Sequence, residues 1–199
     1  VGEDGPTHSG NYDIAFLRCI PNIILMSPSD ENETRALLCS AFNYSGPAAV
    51  RYPRGSGPNA KVNLDLKPIE IGKANLIKKG DPKVIFLNFG ALLHEAKLVA
   101  DELNLTLIDM RFIKPLDEEI LRTYLKSADL FISLEDGSIA GGAGSAVQEF
   151  CSKENIYIKS KLFGIPDNFV EHASREEMIE ECGLTSKQIL AELETTMER

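Results

Sequence analysis

Three stretches of this chain hold side chains whose types and spacing could do chemistry. The first is Asp4-Gly5-Pro6-Thr7-His8-Ser9-Gly10. Its glycines and proline make it a loop, one that fixes a carboxylate and an imidazole four residues apart. An imidazole titrates near neutrality and can give or take a proton, while a carboxylate can hold a hydroxyl or orient the ring. A surface loop whose Asp4 caps a turn is the competing reading. The second stretch, Val50-Arg51-Tyr52-Pro53-Arg54-Gly55, ends an expected strand. Ligands of open α/β sheets gather at the carboxyl ends of strands. Arg54 follows a stiff proline and precedes Gly55 and Gly57, which would let a ligand come close, and a guanidinium grips phosphate through two parallel hydrogen bonds. A surface arginine in a linker remains the alternative. The third stretch, Glu135 to Gly144, joins a strand to a helix, so its amides could meet an anion at the helix N-terminus. It lacks the Gly-Lys-Ser/Thr of a P-loop and a full G-x-G-x-x-G. A tight structural turn or a subunit contact is therefore favoured over nucleotide binding.

The other candidates carry less. His94 falls on an expected helix near its apolar face, and His172 falls in a loop beside Glu171; both read as structural or surface residues. Cys19, Cys39, Cys151 and Cys182 form no C-x-x-C pair and have no histidine at metal-ligand spacing. They read as reduced, buried thiols packing as small hydrophobes, in a cytosolic or stromal compartment. No metal-ligand set is expected within the chain.

These residues must be positioned by regular elements. Tyr12 to Ile20 reads as a short helix stopped by Pro21, and Ile23 to Met26 as a buried strand. Ser27 is the expected cap of a following helix, with Pro28 at its first position. Leu37, Leu38, Ala41 and Phe42 form that helix's inner face, Gly46-Pro47 ends it, and Ala48 to Tyr52 is another strand. A strand–helix–strand unit of this kind is usually parallel. Residues 53–68 hold Pro53, Gly55, Gly57, Pro58 and Pro68 with little periodicity, as an interdomain linker does. The division is then residues 1–59, a linker over 60–68, and residues 69–199.

Past the linker, Ile69 to Lys78 suggests an antiparallel edge hairpin. Strands are expected at 84–89, 105–110, 130–134 and 156–163. Helices are expected at 91–103, 116–128, 145–153, 174–182 and 186–198, the last capped by Thr185 or Ser186. Alternation of this kind predicts a three-layer α/β domain with a mostly parallel sheet. Two strands in the first 59 residues cannot cover both faces of a parallel sheet, so polypeptide from elsewhere is expected to complete that unit.

Composition narrows the function. The chain has 199 residues, with Lys+Arg 21 against Asp+Glu 30, a net charge of −9. That acidity argues against a nucleic-acid partner. Residues 1–59 hold four Arg, six acids and no Lys, a net of −2, which leaves −7 for the rest. Arginine without lysine suits planar anion recognition. No run of about 18 apolar residues occurs, so no membrane partner is expected, and no secretory signal opens the chain. It begins at Val1 and reads as a processed form or a fragment.

Taken together, the motifs resemble the 1-deoxy-D-xylulose-5-phosphate synthases, transketolase-like thiamine-diphosphate enzymes. Gly2 to Gly10, Asp13 to Arg18, Pro28 to Glu33 and Arg51-Tyr52-Pro53-Arg54-Gly55 look like the C-terminal half of that family's pyrimidine-binding domain. Asp109-Met110-Arg111-Phe112-Ile113-Lys114-Pro115-Leu116-Asp117 and Gly141-Gly142-Ala143-Gly144-Ser145 look like its C-terminal domain. Each motif alone is shared with transketolases or the β-subunits of 2-oxo acid dehydrogenases; the ordered combination is more specific. The resemblance implies a transferase that condenses pyruvate with D-glyceraldehyde 3-phosphate, losing CO2, and so supplies isoprenoid, thiamine and pyridoxal phosphate synthesis. It implies thiamine diphosphate and Mg2+ as cofactors, held mainly by residues outside this sequence.

By the same resemblance His8 would sit at the cofactor and its substrate oxygens, as a catalytic and cofactor-binding residue. Asp4 would accept a hydrogen bond from an acceptor hydroxyl, and Arg54 would clamp the acceptor phosphate. A homodimer in a bacterial cytoplasm or plastid stroma is implied, with this chain inactive by itself. A transketolase or dehydrogenase β-subunit, or a non-catalytic dimerisation module, is the alternative reading.

Overall fold

The computed structural model describes residues 2–197. Two short 3-10 turns, Gly2–Asp4 and Pro6–His8, open it and lead to helix α1, Asp13–Leu17. Strand β1, Ile24–Met26, is wholly buried, and β2, Ala48–Val50, pairs with it in parallel across helix α2, Glu31–Asn43. The parallel strand–helix–strand unit is as expected. The cap of α2 is not. Asp30, rather than Ser27, accepts the Glu33 amide at 2.8 Å, so Pro28 lies before the helix. A carboxylate at that position satisfies an orphan N–H and suits the positive end of the helix dipole. Ser27 is buried instead, and Arg51 donates weakly to it.

Residues 51–74 contain no helix or strand, yet they are tied down. Glu31 accepts the amides of Asn59 and Ala60, Asn32 bonds to Lys61 and Asn63, and Arg35 donates to the Asn63 carbonyl. This segment lies along α2 by polar contacts rather than by burial.

The larger sheet has the order β3-β5-β4-β7-β8, with β3 at Asn75–Lys78, β4 at Asp81–Phe89, β5 at Leu105–Asp109, β7 at Leu130–Ser138 and β8 at Lys159–Ile165. Its four long strands are parallel. The antiparallel edge strand β3 is present, but it does not form the expected hairpin: it skips its neighbour β4 and pairs with β5. Alternate residues of β4 serve opposite faces, as a period of two requires. Val84 and Phe86 pack with helices α3, Leu93–Glu102, and α7, Ser186–Met197. Ile85, Leu87 and Phe89 pack with α4, Glu118–Leu125, and α5, Ala143–Lys153. The expected three-layer α/β arrangement is thus present, and Thr185 caps α7 through Gln188. Helix α6, Arg175–Glu181, is closed by a Ser174/Glu177 capping box.

One short strand joins the two regions. Strand β6, Phe112–Lys114, runs antiparallel to β1 and completes a three-stranded sheet of order β2-β1-β6. Its Phe112 fills a small core with Ile24, Met26 and Leu37. Of the cysteines, only Cys151 is buried; Cys39 and Cys182 are half-buried, Cys19 is exposed, and all four are free. The uniform burial expected of them therefore holds for one. Cys19 lies outside the core because the helix expected up to Ile20 stops at Leu17, leaving Cys19 in the following turn.

Candidate functional site

The opening loop docks where the two regions meet. The Ser138 amide, at the end of β7, donates to the Asn11 carbonyl at 2.8 Å, and Ile14 of α1 joins the core under α4 and α5. Gly5 adopts φ 64°, and a Cβ there would collide with the His172 imidazole, so only glycine fits both the backbone and the ring above it. His172, read as a structural or surface residue in a loop, thus has its ring packed against Gly5 of the first motif. His94 is exposed on α3.

At the carboxyl end of β2, Arg51 is the centre of a charge cluster that spans the molecule. Its Nε donates to Asp13 Oδ2 of α1 at 2.8 Å, and its Nη1 donates to Asp136 of β7. Burial by itself would lower the Arg51 pKa, but Asp136 and then Asp13 outweigh it, so the guanidinium is held more firmly charged than usual. A planar fork can serve two carboxylates at fixed angles where an ammonium could not. Three segments far apart in sequence are pinned by one side chain.

Arg54, three residues on, is ion-paired with Asp4 in a half-exposed position. Loop and post-strand arginine, singled out separately, therefore meet. His8 is exposed on the same loop, its Nδ1 sharing a hydrogen bond with Thr7 Oγ1 at 3.0 Å. Beside them lies a cavity of about 170 Å³, lined by Ser9, Arg51, Arg54 and Asp136, among others; His8 is outside its lining. A larger cavity of about 740 Å³ opens next to it, bounded by Tyr52 and Pro53, by Asp30 of α2's cap and by Arg175. Among the described residues, no group of three or more His, Cys, Asp or Glu side chains could hold a metal ion.

The glycine-rich stretch after β7 receives an anion, but the anion is its own. Glu135 accepts the amides of Ala143 and Gly144, at 2.8 and 2.9 Å, at the start of α5. Burial pushes the Glu135 carboxyl up to about 7, against the pull of those two amides and of Arg51. This stretch is a structural turn, as favoured above. Asp109 is a second buried acid, bonded by Ser29 Oγ at 2.8 Å and Asn88 Nδ2 at 3.0 Å. Burial raises it to about 6, with the same two hydrogen bonds opposing. Ser29 belongs to the first region and Asp109 to the second, so this contact also crosses the seam. Sequence reasoning finds Arg51 only as part of a motif and passes over Asp13 as its partner. An arginine two residues before a proline at a strand end is the signal that points to it.

The geometry described above is that of a known family. The family described as "Transketolase, C-terminal domain" matches residues 72–189, and "Transketolase, pyrimidine binding domain" matches residues 1–59. The chain belongs to the transketolase family. Its curated relatives include the 1-deoxy-D-xylulose-5-phosphate synthases of Pseudomonas fluorescens (strain Pf0-1), 52% identical over 199 residues, and of Hahella chejuensis (strain KCTC 2396), 52% identical over 189 residues. These alignments cover 100% and 95% of this chain but 31% and 29% of the relatives, so the chain spans about a third of the length of the curated relatives it matches. A solved structure described as a split gene transketolase, inactive beta4 tetramer, superposes with a TM-score of 0.84 at 28% identity, covering 96% of this chain and 62% of that one. Recognition from the motifs and the α/β fold class are both supported, and the family is one of thiamine-diphosphate transferases. No described helix is long and apolar enough to cross a membrane.

Proposed function

We propose that this chain is the C-terminal part of a thiamine-diphosphate synthase that joins pyruvate to D-glyceraldehyde 3-phosphate, releasing CO2 and forming 1-deoxy-D-xylulose 5-phosphate. The observation that carries the reading is the Asp4–Arg54 pair beside a cavity at the seam, in a chain half identical to named synthases from end to end. When bound, thiamine diphosphate supplies the electron sink for decarboxylating a 2-oxo acid.

The residues in hand fit the substrate-facing part of such a site. Asp4 is already an oxyanion on Arg54, in the place a phosphate oxygen would take. An exposed pair of this kind is worth only about 0–1 kcal/mol, so a phosphate dianion can displace or share it at little cost. Asp4, once released, would accept a hydrogen bond from an acceptor hydroxyl. His8 has no described partner at Nε2, and that nitrogen would hold or deliver a proton at a substrate oxygen. Magnesium and the diphosphate would be held by residues outside this sequence. A homodimer, with the remaining two thirds of the relatives' length supplying the rest, completes the proposal. The bacterial relatives favour a bacterial cytoplasm over a plastid stroma. The division into residues 1–59, a linker over 60–68, and 69–199 is proposed with it, the third part supporting the site and the dimer.

The test uses the full-length enzyme. Pyruvate and D-glyceraldehyde 3-phosphate should give CO2 and the ketose phosphate product. Arg54→Ala should weaken the phosphorylated acceptor about 10- to 150-fold, the value of a charge-assisted contact, and leave pyruvate unaffected. Equal losses for both substrates would remove Arg54 from the phosphate role. Product made from a ketose phosphate donor instead of pyruvate would assign a transketolase. The 199-residue chain alone should show no turnover.

A further inference from the structure

A phosphate monoester carries a charge of about −1.5 to −2 at pH 7. Three guanidinium groups, Arg51, Arg54 and Arg175, line the smaller cavity together with two carboxylates, Asp13 and Asp136. Both carboxylates are ion-paired with Arg51, and Arg54 carries Asp4. Arg175 differs from the other two. Among the described residues its guanidinium has no hydrogen-bond or ion-pair partner, and it faces both cavities. It is half-buried and borders both cavities, from the opposite region of the molecule to Arg54.

Local structure favours no purely stabilising role for this side chain. Arg175 opens α6, where a cation opposes the helix dipole instead of complementing it. Its stem runs beside the residue that follows Arg54: a Cβ on Gly55 would stand 3.8 Å from Arg175 Cδ. Gly55 itself has φ 142°, a conformation that L side chains rarely adopt, so glycine sets the path of the backbone directly after Arg54. Two arginines from different regions thus border one cavity, one of them already sharing a carboxylate and the other without a described partner. A single guanidinium in that state leaves a phosphate dianion under-neutralised; the second supplies the missing charge.

We infer that Arg175 is a specificity-determining residue that recognises the acceptor's phosphate together with Arg54, from across the seam between the two regions. The inference rests on the synthase reading above. It makes the C-terminal region a direct contributor to acceptor choice.

Steady-state kinetics of the full-length enzyme test it, with D-glyceraldehyde 3-phosphate compared against unphosphorylated D-glyceraldehyde. Arg175→Ala should lower the kcat/KM preference for the phosphorylated acceptor about tenfold, mainly through its KM, with the KM for pyruvate unaltered. Arg175→Lys, which keeps the charge but loses the fork, should recover part of that preference. Arg54→Ala is run in parallel. If it abolishes the preference while Arg175→Ala retains it, the inference falls and the synthase reading stands. If neither variant changes the preference, both fall. Equal loss with both acceptors in Arg175→Ala also overturns the inference, because it reports damage to α6 and not a lost phosphate contact.

Discussion

The two sheets of this molecule solve the same burial problem differently. The five-stranded sheet covers one face with α3 and α7 and the other with α4 and α5, where Ile14 of α1 joins them, and most of its central strand residues are buried. The three-stranded sheet has one helix, a core of four buried apolar side chains, and a third strand borrowed from the other region. Large apolar groups of the first region stay in contact with solvent, Phe42 of α2 at 89% and Phe16 of α1 at 59% exposure. Phe42, expected on the inner face of α2, points the other way; Leu37 alone of that expected set is fully buried. The difference teaches where each region gets its stability. The larger one is held by apolar packing, whereas the smaller one depends on polar contacts across the seam: Arg51 with Asp13 and Asp136, Ser29 with Asp109, and Arg111 with Glu33.

Four substitutions would break or sharpen that contrast, measured by urea unfolding of the chain. The largest effect belongs to Phe131→Ala, near the start of β7. Emptying a fully packed aromatic site should cost about 3–5 kcal/mol; a loss below about 1 kcal/mol would mean that the large sheet is not the rigid partner. Next comes Arg51→Ala, expected to cost about 3 kcal/mol because it leaves Asp13 and Asp136 facing each other without a cation. If the unfolding midpoint hardly moved, the seam would have to be held elsewhere.

The third prediction concerns pH. Asp109 has a folded pKa of about 6 against an ordinary 3.8. A raised acid pKa means that the folded state binds the proton more tightly, so this contribution to stability is complete below about pH 4 and is lost as pH rises through 6. About two pKa units correspond to on the order of 2–3 kcal/mol. Asp109→Asn, a neutral isostere, should flatten that part of the stability profile between about pH 4 and 6; a profile identical to wild type would show that Asp109 does not titrate there. The smallest effect is expected for Phe42→Ser, within about 0.5 kcal/mol, since the ring is already exposed. A large destabilisation would place the ring in a core after all.

Much of the larger region is legible in its residues alone. Its buried strands are nearly continuous apolar runs, such as Val84 to Phe89 with Asn88 as the one polar residue, between helices with apolar stripes, and this pattern is local. The opening loop and Arg54 are likewise visible as types and spacings, because glycine and proline mark a loop and a strand end marks a ligand edge. The motifs of residues 2–18, 28–33, 51–55, 109–117 and 141–145, taken in order, carry the family resemblance.

The tertiary structure decided everything that depends on which distant segments meet. Strand β6 is three residues long and too short to show a period, so its crossing to the other sheet could not be read. The edge strand β3 is recognisable, but its choice of β5 over β4 is a matter of chain path. The pairing of Asp4 with Arg54 and the double grip of Arg51 join residues 38 to 85 positions apart. Glu135 reads as part of a turn and proves to be the carboxyl group that the Ala143 and Gly144 amides of that same turn bind. A sequence states what each side chain can do through its local pattern. Which charges are already satisfied, and therefore which remain available to a ligand, is set only when the chain closes on itself.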